Sequence, residues 1–263
     1  MAFNENMNCK SCSKESYAKV PVARVIEKLD ELFSHNDLPG VGRLLAYWEN
    51  EARILNDDRG LLEILNEEIG YFRRTGEKEK ALTSVNEAFD LIDKVSAADT
   101  VTAGTVYLNG ATTMKAFGLA KEAMPYYEKA KLIYEDKLEN DDYKLAAFYN
   151  NISSAYKDIG DRKKAEESCF TAIKILEGKR GYLGEIAVTF INIAHIYYDA
   201  DPFDERVNEF MEKAWDLLNS EKNAHDGNFA FICSKCYPSF EYFGYFEQAT
   251  KLKELTEKIY EGN

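Results

Sequence analysis

The sequence offers little that would take the protein out of a cytoplasm. The opening MAFNENMNCKSCSKESY has no apolar core of the kind a signal peptide needs. No later run approaches the roughly 18 apolar residues that span a bilayer. Basic residues are also short: 33 Lys and Arg against 46 Asp and Glu leave a net charge of −13, which argues against a nucleic-acid or anionic-membrane partner. Only 5 of 263 residues are proline and 45% are hydrophobic, so a largely disordered chain is excluded. The five cysteines are an odd number without an export signal, and read as free thiols. There is no GxSxG, HExxH, Walker or GxGxxG sequence, and His35, His195 and His225 do not assemble with a nucleophile. The expectation is a protein without catalysis, cofactor or metal.

What the chain has is a beat of 42 residues. Ala88, Ala130, Ala172, Ala214 and Thr256 follow one another at that interval, and seven residues before each stands Ala81, Ala123, Ala165, Val207 or Ala249. A separation of seven puts each pair on one helical face, two turns apart. Turn glycines keep the same time at Gly76, Gly118, Gly160 and Gly244, while the fourth unit substitutes DADPFDERV. Ahead of each turn, large and small residues alternate at spacings of 4 and 3, as in Leu65, Ile69 and Phe72 or Tyr107, Ala111 and Met114. That spacing is an amphipathic helix, and no segment alternates like a strand.

Large residue, small residue, aromatic, glycine turn, alanine, bulky residue, alanine resembles the tetratricopeptide repeat. The 42-residue period is similar to the repeats of kinesin light chains and related bacterial proteins. The resemblance implies an all-α, right-handed superhelical solenoid of antiparallel helix pairs, about twelve helices in all. Residues 59–263 make five units, with the fifth departing at Pro238, Lys253 and Thr256. Residues 18–58 read as a degenerate or capping helical hairpin, because Ala52 lies 36 residues before Ala88 and off the beat. Residues 1–17 are expected to be a flexible tail.

In that family the first helices line a concave groove that receives peptides. Asn109, Asn151 and Asn192 fall at one equivalent first-helix position, with Glu67 and Lys235 there in the first and fifth units. An amide both donates and accepts, so a row of them can hold an extended peptide backbone. The resemblance gives asparagines at this position that work. Arg73, Arg74, Lys115, Lys157 and Lys235 stand around the row against Glu63, Glu67, Asp158, Asp199 and Glu241, a neutral set, so the excess acid belongs on second helices and loops such as YEDKLENDD. Lys115 and Lys157 could meet a ligand carboxylate. His195, Tyr198 and Tyr242 complete the candidate peptide-binding set.

Two Cys-x-x-Cys pairs, Cys9 with Cys12 and Cys233 with Cys236, have zinc-ligand spacing but sit at opposite ends of a solenoid, with Cys233 on the core stripe. The first pair is left between a plain tail and a redox-sensitive or weakly metal-binding one. His195 and Asp199 are four apart, yet no third ligand accompanies them. The leading functional expectation is a bacterial, cytoplasmic interaction module that binds an extended peptide or protein tail of unknown identity. The alternative is a stand-alone peptide-sensing receptor, since the residues before Val20 are too few for a helix-turn-helix.

Overall fold

The computed structural model describes residues 18–261; the expected tail, with Cys9 and Cys12, lies outside the described residues. Every regular element among the described residues is helical. The order is α1 (Val22–Ser34), α2 (Leu38–Ile54), α3 (Asp58–Thr75), α4 (Lys78–Lys94), α5 (Val101–Ala116), α6 (Ala120–Lys137), α7 (Tyr143–Asp158), α8 (Arg162–Leu176), α9 (Leu183–Ala200), α10 (Arg206–Leu218), α11 (Gly227–Tyr242) and α12 (Phe246–Tyr260).

Local chemistry sets the ends of these helices. Asp57, Thr100, Asp142 and Asp226 cap α3, α5, α7 and α11 by accepting from backbone amides in the first turn, satisfying donors the helix cannot use itself. Asp57 also accepts from the Val20 amide at 2.9 Å, which ties the start of the described chain to α3. At the other end, Gly76, Gly118, Gly160 and Gly244 all turn left-handed, with φ of 77°, 85°, 85° and 85°. The amide that follows each glycine returns to the carbonyl of Phe72, Met114, Tyr156 or Phe240, which is the Schellman closure repeated four times. The fourth unit has no such glycine and bridges α9 to α10 with residues 201–205. Pro238 sits inside α11 without ending it, as Pro125 does in α6.

Packing follows the 42-residue beat. Ala81, Ala123, Ala165, Ala88, Ala130, Ala172 and Ala214 are fully buried, where a methyl group lets helix axes approach. Thr256 holds the alanine position of the last unit by folding its hydroxyl back onto the Leu252 carbonyl at 2.8 Å. The core is a seam more than a globule: Tyr156 packs against both its N-terminal and its C-terminal parts.

Curvature comes from unequal contact on the two sides. Each first helix touches the first helix of the next unit, α3 on α5, α5 on α7, α7 on α9 and α9 on α11, whereas the second helices make no comparable contact with one another. The first helices are therefore the inner, concave wall. The coil also brings its ends together, because α1 packs on α11. A Cβ on Gly227 would lie 2.7 Å from the Ser34 Cα, so these helices meet at backbone range.

Candidate functional site

Five equivalent positions run along the concave wall as Glu67, Asn109, Asn151, Asn192 and Lys235. They do not bond to one another. Asn109 donates to Asn66 Oδ1 at 2.9 Å and Asn192 donates to Asn150 Oδ1 at 2.8 Å, each reaching the residue one place earlier in the preceding unit. Asn151 finds Leu108 at that place and turns to its own helix, donating to the Ala147 carbonyl at 2.8 Å. Lys235 finds Ile191 there. The expected ladder is thus two inter-unit amide pairs, in which Asn66 and Asn150 are partners that the sequence reading passed over. Each paired asparagine still has a second N–H and lone pairs to offer.

A second row lies six residues further along, at Arg73, Lys115 and Lys157, spaced 42 and 42 apart. Each reaches the next unit: Arg73 to Thr113 Oγ1 at 3.4 Å, Lys115 to Ser154 Oγ at 2.8 Å, and Lys157 to Asp199 Oδ2 at 3.0 Å. Only the last meets a carboxylate. Burial, then for Lys115 the neighbouring Lys157 and Arg73 acting against Asp158, holds the Arg73 and Lys115 cations below their ordinary values.

His195 is half-buried, with Nε2 3.0 Å from Ser239 Oγ, and burial together with nearby Lys157 pulls its pKa down. Asp199, its expected neighbour, is engaged by Lys157 instead. The His195 ring lies against Phe243 and Tyr242 at 4.6 and 5.6 Å, and Tyr198 meets the same two rings at 5.4 Å each. Tyr242 is 61% exposed, so this aromatic group opens to solvent. Lys157, Asn192 and His195 share a cavity of about 210 Å³ with Ser153, Ser154 and Ile196.

Arg73, Arg74 and Lys235 come together elsewhere, around a cavity of about 820 Å³ where α1, α3 and α11 meet. The Arg74 guanidinium stacks between Phe231 at 4.8 Å and Phe33 at 5.5 Å and donates to Asn36 Oδ1 at 2.8 Å. Lys235 is exposed as a residue, but its ammonium rests on the Phe231 ring at 4.0 Å. Withdrawal from bulk water, reinforced by Arg73, lowers its pKa to about 8. Phe33, Tyr71, Asp30 and Asp226 also line this cavity, and nothing local in the sequence marked them, since a contact between α1 and α11 spans most of the chain. Asn109 and Asn151 line neither cavity.

Among the described residues no group of three or more His, Cys, Asp or Glu side chains could hold a metal, and no helix is long and apolar enough to cross a membrane. Cys233 and Cys236 are both buried, and burial pushes the Cys233 thiol up to about 12. They pack as core.

The fold is that of a tetratricopeptide-like superhelix. No family model and no curated protein matches the chain. Solved structures do. The nearly identical TPR-like repeats of a Podosopora anserina kinesin light chain are 16% identical with a TM-score of 0.53, over 75% of this chain and 94% of that one. BtubC (BKLC) from P. vanneervenii is 17% identical with a TM-score of 0.51, over 93% and 92%. Rap protein complexed with Competence and Sporulation Factor is 14% identical with a TM-score of 0.59, over 92% and 76%.

Proposed function

We propose that the concave wall binds an extended peptide or protein tail without catalysis, in a bacterial cytoplasm. The carrying observation is the polar lining of the first helices: the amide pairs Asn66 with Asn109 and Asn150 with Asn192, and the cation row Arg73, Lys115 and Lys157 running parallel to them. Amides at this spacing match the donors and acceptors of an extended backbone, and the cations favour carboxylates. Tyr198, Tyr242 and His195 add aromatic area at one end of the wall. A chain of −13, and a wall whose cations are tethered to hydroxyls at Arg73 and Lys115 and to a carboxylate at Lys157, discourage a polyanion while accepting a single acidic group.

A fluorescence-polarisation screen of labelled peptides tests this, repeated on the protein carrying Asn109→Ala, Asn151→Ala and Asn192→Ala with its helicity checked by circular dichroism. Binding should fall at least severalfold in the triple variant; unchanged binding would remove the amide row from the site. The second reading, a stand-alone peptide-sensing receptor, is favoured by the contact of α1 with α11, which brings the two ends of the concave wall together. Tight binding of one short peptide selects that reading, and weak binding of many tails selects the scaffold.

A further inference from the structure

The turns that join first to second helices form one edge of the superhelix, and its last two units carry aromatic rings there that the core leaves in solvent. The first residue of the second helix is Lys78, Ala120, Arg162 and Arg206 in turn, and then Phe246. Phe246 is 68% exposed, and Phe203, 43 residues earlier in the α9 to α10 connection, is 92% exposed. Tyr245 donates to Asn208 Oδ1 at 3.0 Å, which pins the last turn against the start of α10. Tyr242 is exposed as well, and carries the surface on to Tyr198 and Phe243, with ring centroids at 5.4 and 5.1 Å. Rings of about 150–250 Å² exposed to this degree leave about 300–500 Å² of aromatic surface in water, the size at which a patch marks an interaction site.

The same segments, 198–206 and 241–247, hold six carboxylates and one cation, Arg206. Lys157 pairs with Asp199, Arg206 with Asp204 and Lys251 with Glu247. Asp201 and Glu205, on either side of Phe203, and Glu241, next to Tyr242, are exposed and form no ion pair among the described residues. Six carboxylates against three cations leave −3. That charge selects the occupant. A nucleic acid or an anionic lipid surface is repelled. A second copy in a two-fold contact would set the same unpaired carboxylates against themselves. A cationic side chain gains twice, because ring faces attract it and the carboxylates accept its N–H groups; a guanidinium gains most, since it also lies flat on a ring. The chain makes this contact within itself: Arg206 lies 3.9 Å over the Tyr197 ring while donating to Asp204 at 2.6 Å.

We propose that the edge marked by Phe203, Tyr242 and Phe246 docks a partner protein through a segment that combines arginine with apolar side chains. Phe203 and Phe246 belong to no first helix, so this surface is distinct from the concave wall and stands independently of the peptide-groove reading. The apolar side chains of the partner cover the exposed rings, and its guanidinium groups take the three carboxylates that the chain itself leaves unpaired.

The test uses the full chain and a labelled amphipathic peptide of about 18 residues, five helical turns, with leucine on one face and arginine on the other, read by fluorescence polarisation. Two control peptides keep the leucine face and carry serine or glutamate in place of arginine. The arginine peptide should bind about tenfold more tightly than the serine peptide, and the glutamate peptide should not bind. Phe203→Ser with Phe246→Ser should weaken the arginine peptide about tenfold. Asp201→Asn, Glu205→Gln and Glu241→Gln together should weaken it severalfold and flatten its dependence on salt. Asp90→Asn, Glu139→Gln and Glu257→Gln, a matched change of charge away from this edge, should leave it unchanged, as should the triple asparagine variant. All the acidic and phenylalanine positions changed are exposed, so the fold is not at stake. Equal losses in the two charge variants reduce the binding to attraction by net charge and overturn the proposal. Binding that survives the double phenylalanine change, or that falls in the triple asparagine variant instead, moves the peptide off this edge and overturns it. A dimer in sedimentation equilibrium that the double phenylalanine change dissolves makes a second copy the occupant and overturns it too, as does failure of the arginine peptide to bind.

Discussion

Two glycines make a matched test of how tightly the repeats pack. Gly70 lies within α3 and Gly110 within α5, so Gly→Ala should gain each helix about 0.5–1 kcal/mol of propensity. Space decides the rest. A Cβ on Gly70 would meet nothing within 4 Å. On Gly110 it would stand 2.5 Å from Phe89 Cζ, 2.7 Å from Cε1 and 3.2 Å from Val85 Cγ1. Phe89 has little room to yield, because its ring stacks on Tyr126 at 4.3 Å and lies tilted against Tyr107 at 5.2 Å. The methyl must open the α4 to α5 contact by about 1 Å, an overpacking that costs about 1–3 kcal/mol. The net for Gly110→Ala is a loss centred near about 1 kcal/mol and reaching about 2.5, against a gain of about 0.5–1 for Gly70→Ala. In a chain of this size, each kcal/mol moves the melting temperature about 2–4 °C. Thermal unfolding followed at 222 nm should order the proteins G70A, parent, G110A. A G110A protein as stable as the parent would show that α4 and α5 are not packed at this register.

Other outcomes follow from the same geometry. Ala172→Leu, at a fully buried alanine, should cost about 1–3 kcal/mol by overpacking, read as a lowered melting temperature. Glu68 is buried, accepts from Ser84 at 3.1 Å, and is raised by burial and by the Glu49 carboxylate to about 7. The native state then holds a proton that the unfolded chain releases near 4.5, so this contribution is complete below that value and is lost as pH rises through about 7. Glu68→Gln should flatten the stability profile over that interval; an unchanged slope would mean the carboxyl is solvated. A double-mutant cycle on Asn150→Ala and Asn192→Ala should give a coupling of about 0.5–1.5 kcal/mol in urea unfolding, whereas the cycle on Asn151 and Asn192, which share no bond, should give close to none.

The fold was legible because its signals are local and repeated. A left-handed glycine after four of the five first helices and a small residue in each second one leave marks in the sequence at fixed spacing, and Ala88 to Thr256 carried them. The site was legible in part. The sequence aligned Asn109, Asn151 and Asn192, but which of them pairs depends on the residue one place earlier in the preceding unit, Asn66 and Asn150 in two cases and Leu108 in the third. Spacing within a unit does not report that. Arg73, Arg74 and Lys235 were singled out individually, and their meeting around one cavity was hidden because it depends on the small rotation between units accumulating over five of them. Asp30, Phe33 and Phe231 went unremarked for the same reason.

An open stack of repeats depends only on nearest neighbours, so its terminal units are the first to fray. Packing α1 on α11, with Arg74 wedged between Phe33 and Phe231, gives each outermost unit a second neighbour drawn from the far end of the chain. The array acquires one contact of very high sequence separation in a topology otherwise made of short-range ones. Most of it can assemble quickly and in any order, but that joint can form only after the intervening units are in place, because they set the distance between its halves. Once formed, it makes the first and last units unravel together or not at all.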